Sequence, residues 1–282
     1  MNYRHGFHAG NFADVVKHAV LARIVAHLLQ KPSAFRVIDT HAGAGLYDLT
    51  DTEASRTGEW QQGIARLMKA RLSAPARALL APYLDVVASS NSPGSLIVYP
   101  GSPLLVRAWL RHQDHLIACE LEPAAAAALA ENLRSGARVK AMTIDGWTAL
   151  SAFIPPKERR GLVLIDPPFE AADDFARLSS GLAGAHRRWA TGIYLLWYPI
   201  KDRGGPDALT KRLARSGIPK ILRAEITVTS PPDPLRLNGC GLVVVNPPWA
   251  LEGELGMLLP ELAACLGQGK GGFRLDWLAR EN

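Results

Sequence analysis

The sequence predicts an α/β protein built on a largely parallel sheet, and three observations lead there. A short apolar run, FRVID at 35–39, feeds directly into the glycine-bearing turn THAGAG. Strand followed by glycine turn is the element with which open α/β sheets hold their ligands. Further along, apolar runs recur between helical stretches, and they are continuous rather than alternating, as strands covered on both faces require. One of these runs, GLVLI, ends in DPPF at 166–169, at the carboxyl end of a strand where such folds place their chemistry.

The elements follow in order. From Asp14 to Gln30, Val16, Val20, Ile24 and Leu28 recur at helical spacing and predict one buried face, with Lys17 and His18 off that line. After the strand and its turn, about 70 residues intervene before the next convincing strand, far more than an ordinary βα connection. Helical patterns near Glu59 to Leu72 and Ala76 to Ser90 fill part of this stretch, bounded by proline and the polar run SSNSPG. It is expected to be a small helical subdomain, about 50–95, inserted into a single domain of 1–282 and suited to gripping a large substrate. Residues 1–30 form an N-terminal segment and helix ahead of it. HLIACE (115–120), VKAMTI (139–144), GLVLID (161–166), GIYLLWYP (192–199), KILRAEITV (220–228) and CGLVVVN (240–246) complete a seven-stranded, mostly parallel sheet, with an alanine-rich helix at Ala124 to Ala130.

Composition narrows the class. At 282 residues, 48% hydrophobic and 21% charged, the chain can bury a substantial core, which excludes a disordered protein. A formal charge of +6 favours polyanionic partners. Three widely spaced cysteines argue against a disulfide framework or a zinc site and fit a reducing compartment. No apolar run approaches the roughly 18 residues of a membrane span, and the N-terminus lacks a signal-like apolar region. A soluble, cytoplasmic protein without membrane association is expected.

DPPF carries the sharpest chemistry. The exocyclic amine of adenine is a poor nucleophile because its lone pair is delocalised into the ring. A site that uses it must accept its two N–H bonds and aim the nitrogen at an electrophile. The Asp166 carboxylate and the carbonyl of Pro167 can accept those bonds, Pro168 stiffens the turn, and Phe169 offers a flat face for stacking. The plain alternative is a strand-ending turn, since Asp-Pro favours turns. NPPW at 246–249 has the same ingredients but falls on the last strand. Chain order favours DPPF, which falls on the fourth core strand beside the first, and leaves NPPW as a structural turn near the site.

The cofactor side begins in DTHAGAG, where Gly43 and Gly45 let backbone approach a ligand without a Cβ. A dinucleotide site would continue as GxGxxG, and GAGLYD does not, which disfavours a nicotinamide oxidoreductase. Glu120 closes the second core strand and can accept ribose hydroxyls. Asp145, followed by Gly146, closes the third and can accept an adenine amine. Singly each acid is an ordinary exposed residue; together with the glycine turn they describe a reader of adenosine. The N-terminal stretch YRHGFHAGNFADVVKH groups Tyr3, Arg4, His5, His8, Lys17 and His18 without the spacing of a zinc site, so no metal is expected. Its basic and aromatic groups suit phosphate and a displaced base, which assigns Tyr3, Arg4, His5 and Lys17 to the substrate side.

Taken together, YRHGFHAGNFADVVKH, DTHAGAG, RTGEW (56–60), YPGSP (99–103), RRGLVLIDPPFE (159–170), TGIYLLWYP (191–199) and VVNPPW (244–249) resemble the bacterial 23S ribosomal RNA adenine-N6 methyltransferases that modify adenine 2030. The resemblance spans nearly the whole chain. It implies a class I, Rossmann-like fold with a helical insertion, S-adenosylmethionine as methyl donor, and no metal. It further implies His18, His41, Ser102, Glu120, Asp145 and Gly146 around the donor, Asp166 as acceptor at the target amine, and Tyr3 on the RNA. The partner would be 23S rRNA, protein-free or in an early assembly intermediate, met by a monomer. Phe169 departs from the tyrosine common in the family and keeps the ring while losing a hydroxyl. The residues themselves leave an adenine-N6 DNA methyltransferase open, because this chemistry is blind to the sugar. A noncatalytic RNA-binding module is argued against by DPPF and the two strand-end acids.

Overall fold

The computed structural model describes residues 5–134, 137–229, 232–233 and 236–281. Tyr3 and Arg4 therefore lie outside the described residues. The strands are β1 (Arg36–Asp39), β2 (Leu46–Asp48), β3 (Val98–Pro100), β4 (His115–Glu120), β5 (Val139–Thr143), β6 (Gly161–Ile165), β7 (Ile193–Ile200), β8 (Ile221–Thr227), β9 (Gly239–Val245) and β10 (Gly272–Ala279). Eight form one sheet in the order β10, β8, β9, β7, β6, β1, β4, β5, while β2 and β3 pair as a separate ribbon. Strands β5, β4, β1, β6 and β7 are parallel, β9 runs antiparallel between β7 and β8, and β10 runs antiparallel to β8. The sequence reading of seven strands is corrected to eight by β10. Its sequence, GFRLDWLA, sits at the sheet edge with no fully buried residue, so it lacks the continuous apolar run by which the others were recognised.

The sheet separates two cores because side chains alternate across it. Val37, Leu116, Leu162 and Leu195 enter one, and Ile38, Val163, Tyr194 and Leu196 enter the other. Helices α1 (Phe12–Leu29), α2 (Thr52–Thr57), α3 (Glu59–Gln62), α4 (Ile64–Lys69), α5 (Ala74–Ser89), α6 (Ser102–Trp109) and α7 (Pro123–Asn132) precede α8 (Gly146–Ala152), α9 (Asp174–Arg188), α10 (Gly204–Ala214) and α11 (Leu251–Leu266). α1, α5, α6 and α11 contribute to the first core, and α8, α9 and α10 to the second.

Helix α1 is capped by Asn11, whose Oδ1 accepts from the backbone N–H groups of Ala13 and Asp14 at 2.9 and 3.0 Å, a cap that stabilises by about 1 kcal/mol. It packs against α5, α6, α11 and α3 as well as strands β6 and β9. This enclosure corrects the expectation of a single buried face: Asp14, Lys17 and His18, off the apolar line, are buried too. Between β2 and β3 the chain forms α2 to α5. The helical pattern read from Glu59 to Leu72 is broken at Gly63, where a Cβ would lie 2.1 Å from the carbonyl oxygen of Gly10. That close approach lets the Ile64 N–H donate to the same oxygen at 2.8 Å, tying the insertion to the N-terminal segment. Among the described residues no helix is long and apolar enough to cross a membrane.

Candidate active site

The carboxyl ends of β1, β4 and β6, the turns that follow β1 and β5, the second turn of α1 and the first turns of α6 and α8 converge on a cleft of about 660 Å³. Its wall includes His5, Lys17, His18, His41, Gly43, Ser102, Glu120, Asp145, Gly146, Asp166 and Pro168, residues singled out from the sequence and far apart in it. Parallel strands gather them, because each βα turn emerges at the same edge.

At one side the turn after β1 folds over its own backbone. Gly43 has φ +62°, and a Cβ there would meet the Tyr47 hydroxyl at 2.1 Å, so only glycine fits. Its N–H donates to Glu120 Oε2 at 2.9 Å. The other Glu120 oxygen accepts from the N–H groups of Leu121 and Glu122 at 2.8 and 2.9 Å. Three backbone donors thus hold this carboxylate in one orientation at the cleft wall. Gly45 does not line the cleft: at φ +82° it faces Leu129 and Pro103, and its carbonyl accepts from the Gly101 N–H at 2.7 Å. Its glycine requirement serves the turn and the packing of α6 and α7 rather than ligand approach.

Asp145 caps α8, with Oδ2 accepting from the N–H and hydroxyl of Thr148 at 2.8 and 3.0 Å. Next to it, a Cβ on Gly146 would lie 2.3 Å from the Thr40 carbonyl and 2.6 Å from the His41 ring, so the turn after β5 presses directly onto the turn after β1. His41 Nδ1 lies 2.8 Å from the Thr40 hydroxyl, and its ring meets Trp147 edge-on at 5.5 Å. Burial lowers its pKa to about 4, so it is neutral at physiological pH.

His18 is held from behind. Its Nδ1 lies 2.6 Å from the Tyr99 hydroxyl, which is 2.8 Å from that of Tyr83, a buried chain of three polar groups. Its Nε2 is buried without a partner among the described residues, and burial drives the ring pKa down to about 3. A neutral imidazole with an orphaned nitrogen in a residue that lines the cleft suits a hydrogen bond to a bound ligand. Ser102 at the start of α6 donates to Asp39 Oδ2 at 2.6 Å. Asp39 is fully buried, and desolvation lifts its pKa to about 6, with Ser102 opposing that rise.

The opposite wall is DPPF. Asp166 accepts a hydrogen bond from the Lys17 ammonium, which also lies 2.9 Å from Asp14 Oδ1. Asp14 Oδ2 in turn lies 3.0 Å from His5 Nε2 and accepts from the Gly10 N–H at 2.9 Å. Burial opposes charge on both partners, yet Asp14 and Asp166 hold Lys17 well above the usual lysine range, and Lys17 and His5 hold Asp14 well below the usual carboxylate range. The assignment of Lys17 to RNA phosphate is therefore corrected. At 5% exposure it is committed to two carboxylates inside the site, because α1 is enclosed on all sides. Phe169, read as a stacking face, has φ +52° and packs its ring 4.9 Å from Phe175 and 5.7 Å from Trp197. In this conformation it supports the turn, while Pro168 reaches the cleft. Pro167 is buried behind it.

NPPW is corrected in position. β9 runs antiparallel to β7 and pairs Val245 with Tyr194, near the start of β7, so NPPW lies at the edge of the sheet opposite DPPF. Asn246, at φ +53°, donates from its amide to the carbonyls of Ala190 and Gly192, both at 2.8 Å. It staples a distant turn. Asp14, Asp39, Trp147 and Arg177 are site neighbours that sequence reasoning missed. For Asp14 a signal existed, the i, i+3 spacing to Lys17 on one helix. Arg177, on α9, had none.

The strand order β5, β4, β1, β6, β7, β9, β8 with β9 alone reversed among these seven, together with a cleft at the strand carboxyl ends, defines the class I S-adenosylmethionine-dependent methyltransferase fold. The model of the family described as ribosomal RNA large subunit methyltransferase D, RlmJ, matches residues 32–279. Ribosomal RNA large subunit methyltransferase J of Escherichia coli is 42% identical over 282 residues, covering all of both chains. The Haemophilus influenzae protein of the same name is 38% identical over 283 residues, again over the full length of both. A solved Legionella pneumophila protein structure superimposes with a TM-score of 0.87 at 32% identity, over 96% of this chain and 98% of that one. The chain belongs to the ribosomal RNA large subunit methyltransferase J family.

Proposed function

We propose that the protein transfers a methyl group from S-adenosylmethionine to the N6 amine of an adenine in 23S rRNA, at adenine 2030, acting as a cytoplasmic monomer on protein-free or early-assembling RNA. The observation that carries the reading is that the DPP turn opens into the same cleft as Gly43, Glu120 and Asp145. An adenosine reader and an amine acceptor thus share one wall-to-wall space. The full-length relatives bear the name of large-subunit ribosomal RNA methyltransferases, which supports RNA over DNA as the substrate. Tyr3 and Arg4 on the N-terminal segment and the helices between β2 and β3 contact the RNA outside the cleft, and His5 does so from the cleft wall.

The residues present fit the donor. Glu120 and Asp145 supply acceptors at the ends of β4 and β5, Gly43 and Gly146 line the cleft where packing leaves no room for a Cβ, and His18 Nε2 and Ser102 supply further polar groups. When bound, S-adenosylmethionine supplies an electrophilic methyl on a positively charged sulfur. The protein's part is alignment and charge acceptance. Asp166 and the Pro167 carbonyl accept the two N6–H bonds, which turns the nitrogen lone pair toward the methyl carbon. As the N–C bond forms, the methyl carbon–sulfur bond breaks with its electron pair left on sulfur, giving S-adenosylhomocysteine; the amine becomes cationic, and the Asp166 carboxylate stabilises it and receives the departing proton, which passes on to solvent. Lys17, bonded to Asp166, fixes the carboxylate's orientation. The adenine must leave its stack or be presented in a loop for this to happen.

The test is transfer of labelled methyl to protein-free 23S rRNA lacking its native modification, followed by nucleoside analysis. Label in N6-methyladenosine at one position is the expected result. Asp166→Ala should lower turnover at least about 100-fold while donor binding stays nearly intact. No label in RNA, with the donor shown to bind, or near-normal turnover in the variant, overturns the proposal.

A further inference from the structure

We infer that Arg177 is the residue that receives a phosphate of the substrate RNA at the mouth of the cleft, an inference that rests on the methyl-transfer reading above. Among the described residues nine carboxylates line this cleft and only two lysine or arginine side chains do. That balance suits a donor bearing a positive sulfur and opposes a polyanion. RNA must nevertheless bring one nucleotide to Asp166, and each backbone phosphate it brings needs a counter-charge. Lys17 cannot serve, being buried between Asp14 and Asp166.

Arg177 can. It extends from α9, its guanidinium lies over the Trp147 ring at 5.0 Å, and its side chain is 44% exposed. Its ion-pair contact is Asp174 Oδ1 at 3.7 Å, too long for a committed hydrogen bond, and Asp174 Oδ2 is already engaged by the Ala171 N–H at 2.9 Å. Stacking on Trp147 holds the planar group in place without consuming its donors, which leaves the fork free for bidentate contact with a phosphate. The position is apt as well. Arg177 neighbours Asp174, which accepts from the Ala171 N–H just after DPPF, and Pro168 and Glu170 line the same cleft, so Arg177 stands close to the turn that would hold the target base. A cation here would draw the flanking phosphate past the surrounding carboxylates and select nucleotides carrying one.

The experiment compares the wild type with Arg177→Ala and Arg177→Lys in methyl transfer to protein-free 23S rRNA across a salt series, with donor affinity measured separately by calorimetry. The alanine variant should raise KM for RNA about tenfold and flatten the slope of log KM against log salt by a little under one phosphate contact. Donor Kd should stay within about twofold, an order-of-magnitude tolerance for a residue that does not touch the donor. Lysine should restore the salt slope but only part of the KM, because it keeps the charge and loses the fork. An unchanged KM and slope in an otherwise active protein overturns the inference alone. So does a weakened donor Kd with KM for RNA unaltered, which would assign Arg177 to the donor through Trp147. If the wild type transfers no methyl to RNA, the activity reading and this inference fall together.

Discussion

Replacing Lys17 by methionine removes one ammonium from between two carboxylates while keeping the volume of the aliphatic stem. Lys17 and Asp14 are 5% and 3% exposed, so water cannot supply the missing charge. Breaking a buried ion pair by removing one partner costs about 3 to 5 kcal/mol. Because His5 and the Gly10 N–H still hold Asp14 at 3.0 and 2.9 Å, the lower end of that range is expected. Urea unfolding at pH 7 measures it. Adding Asp14→Asn should return part of the loss, since the second variant removes the stranded carboxylate, and a double-mutant cycle should give a coupling above about 1 kcal/mol. Turnover should fall as well, because Asp166 loses the group that orients it. A cycle additive within about 0.5 kcal/mol would refute the reasoning, because independent sites behave that way.

Three further outcomes follow from the geometry. Gly146→Ala should weaken donor binding by calorimetry tenfold or more, since its Cβ would lie 2.3 Å from the Thr40 carbonyl and 2.6 Å from the His41 ring, a clash typical of overpacking by about 1 to 3 kcal/mol. His18 has a folded pKa of about 3 against 6.5 unfolded, so between these values the unfolded chain binds more protons and stability falls as the pH drops. From pH 7 to 5 that slope amounts to about 2 kcal/mol for this group, and urea titrations of His18→Asn should lack it. Asn246→Ala should cost about 1 to 2 kcal/mol through its two stapling bonds, yet leave turnover per folded molecule unchanged; a large loss of turnover would return NPPW to the active site.

What the sequence by itself determined was whatever depends on local period and chain order. Six strands announced themselves because they are buried on both faces and therefore continuously apolar, β5 at the sheet edge was read from VKAMTI although none of its residues is fully buried, and their succession put DPPF on the strand that pairs with β1, as Leu164 does with Asp39. Glycine at 43, and acids at 120 and 145, were legible because turns at strand ends have few substitutes for those residue types. The tertiary structure decided everything that depends on which neighbour lies across a gap. β10 escaped notice because an edge strand need not be apolar throughout. NPPW and DPPF are alike as sequence, and only the reversal of β9 carries one to the far edge. Lys17, His18 and Asp14 look like the solvent side of an amphipathic helix until α3, α5, α6 and α11 close around α1. Then the same three residues become a buried charge network whose partner, Asp166, lies 149 positions away, a pairing that no local pattern can encode.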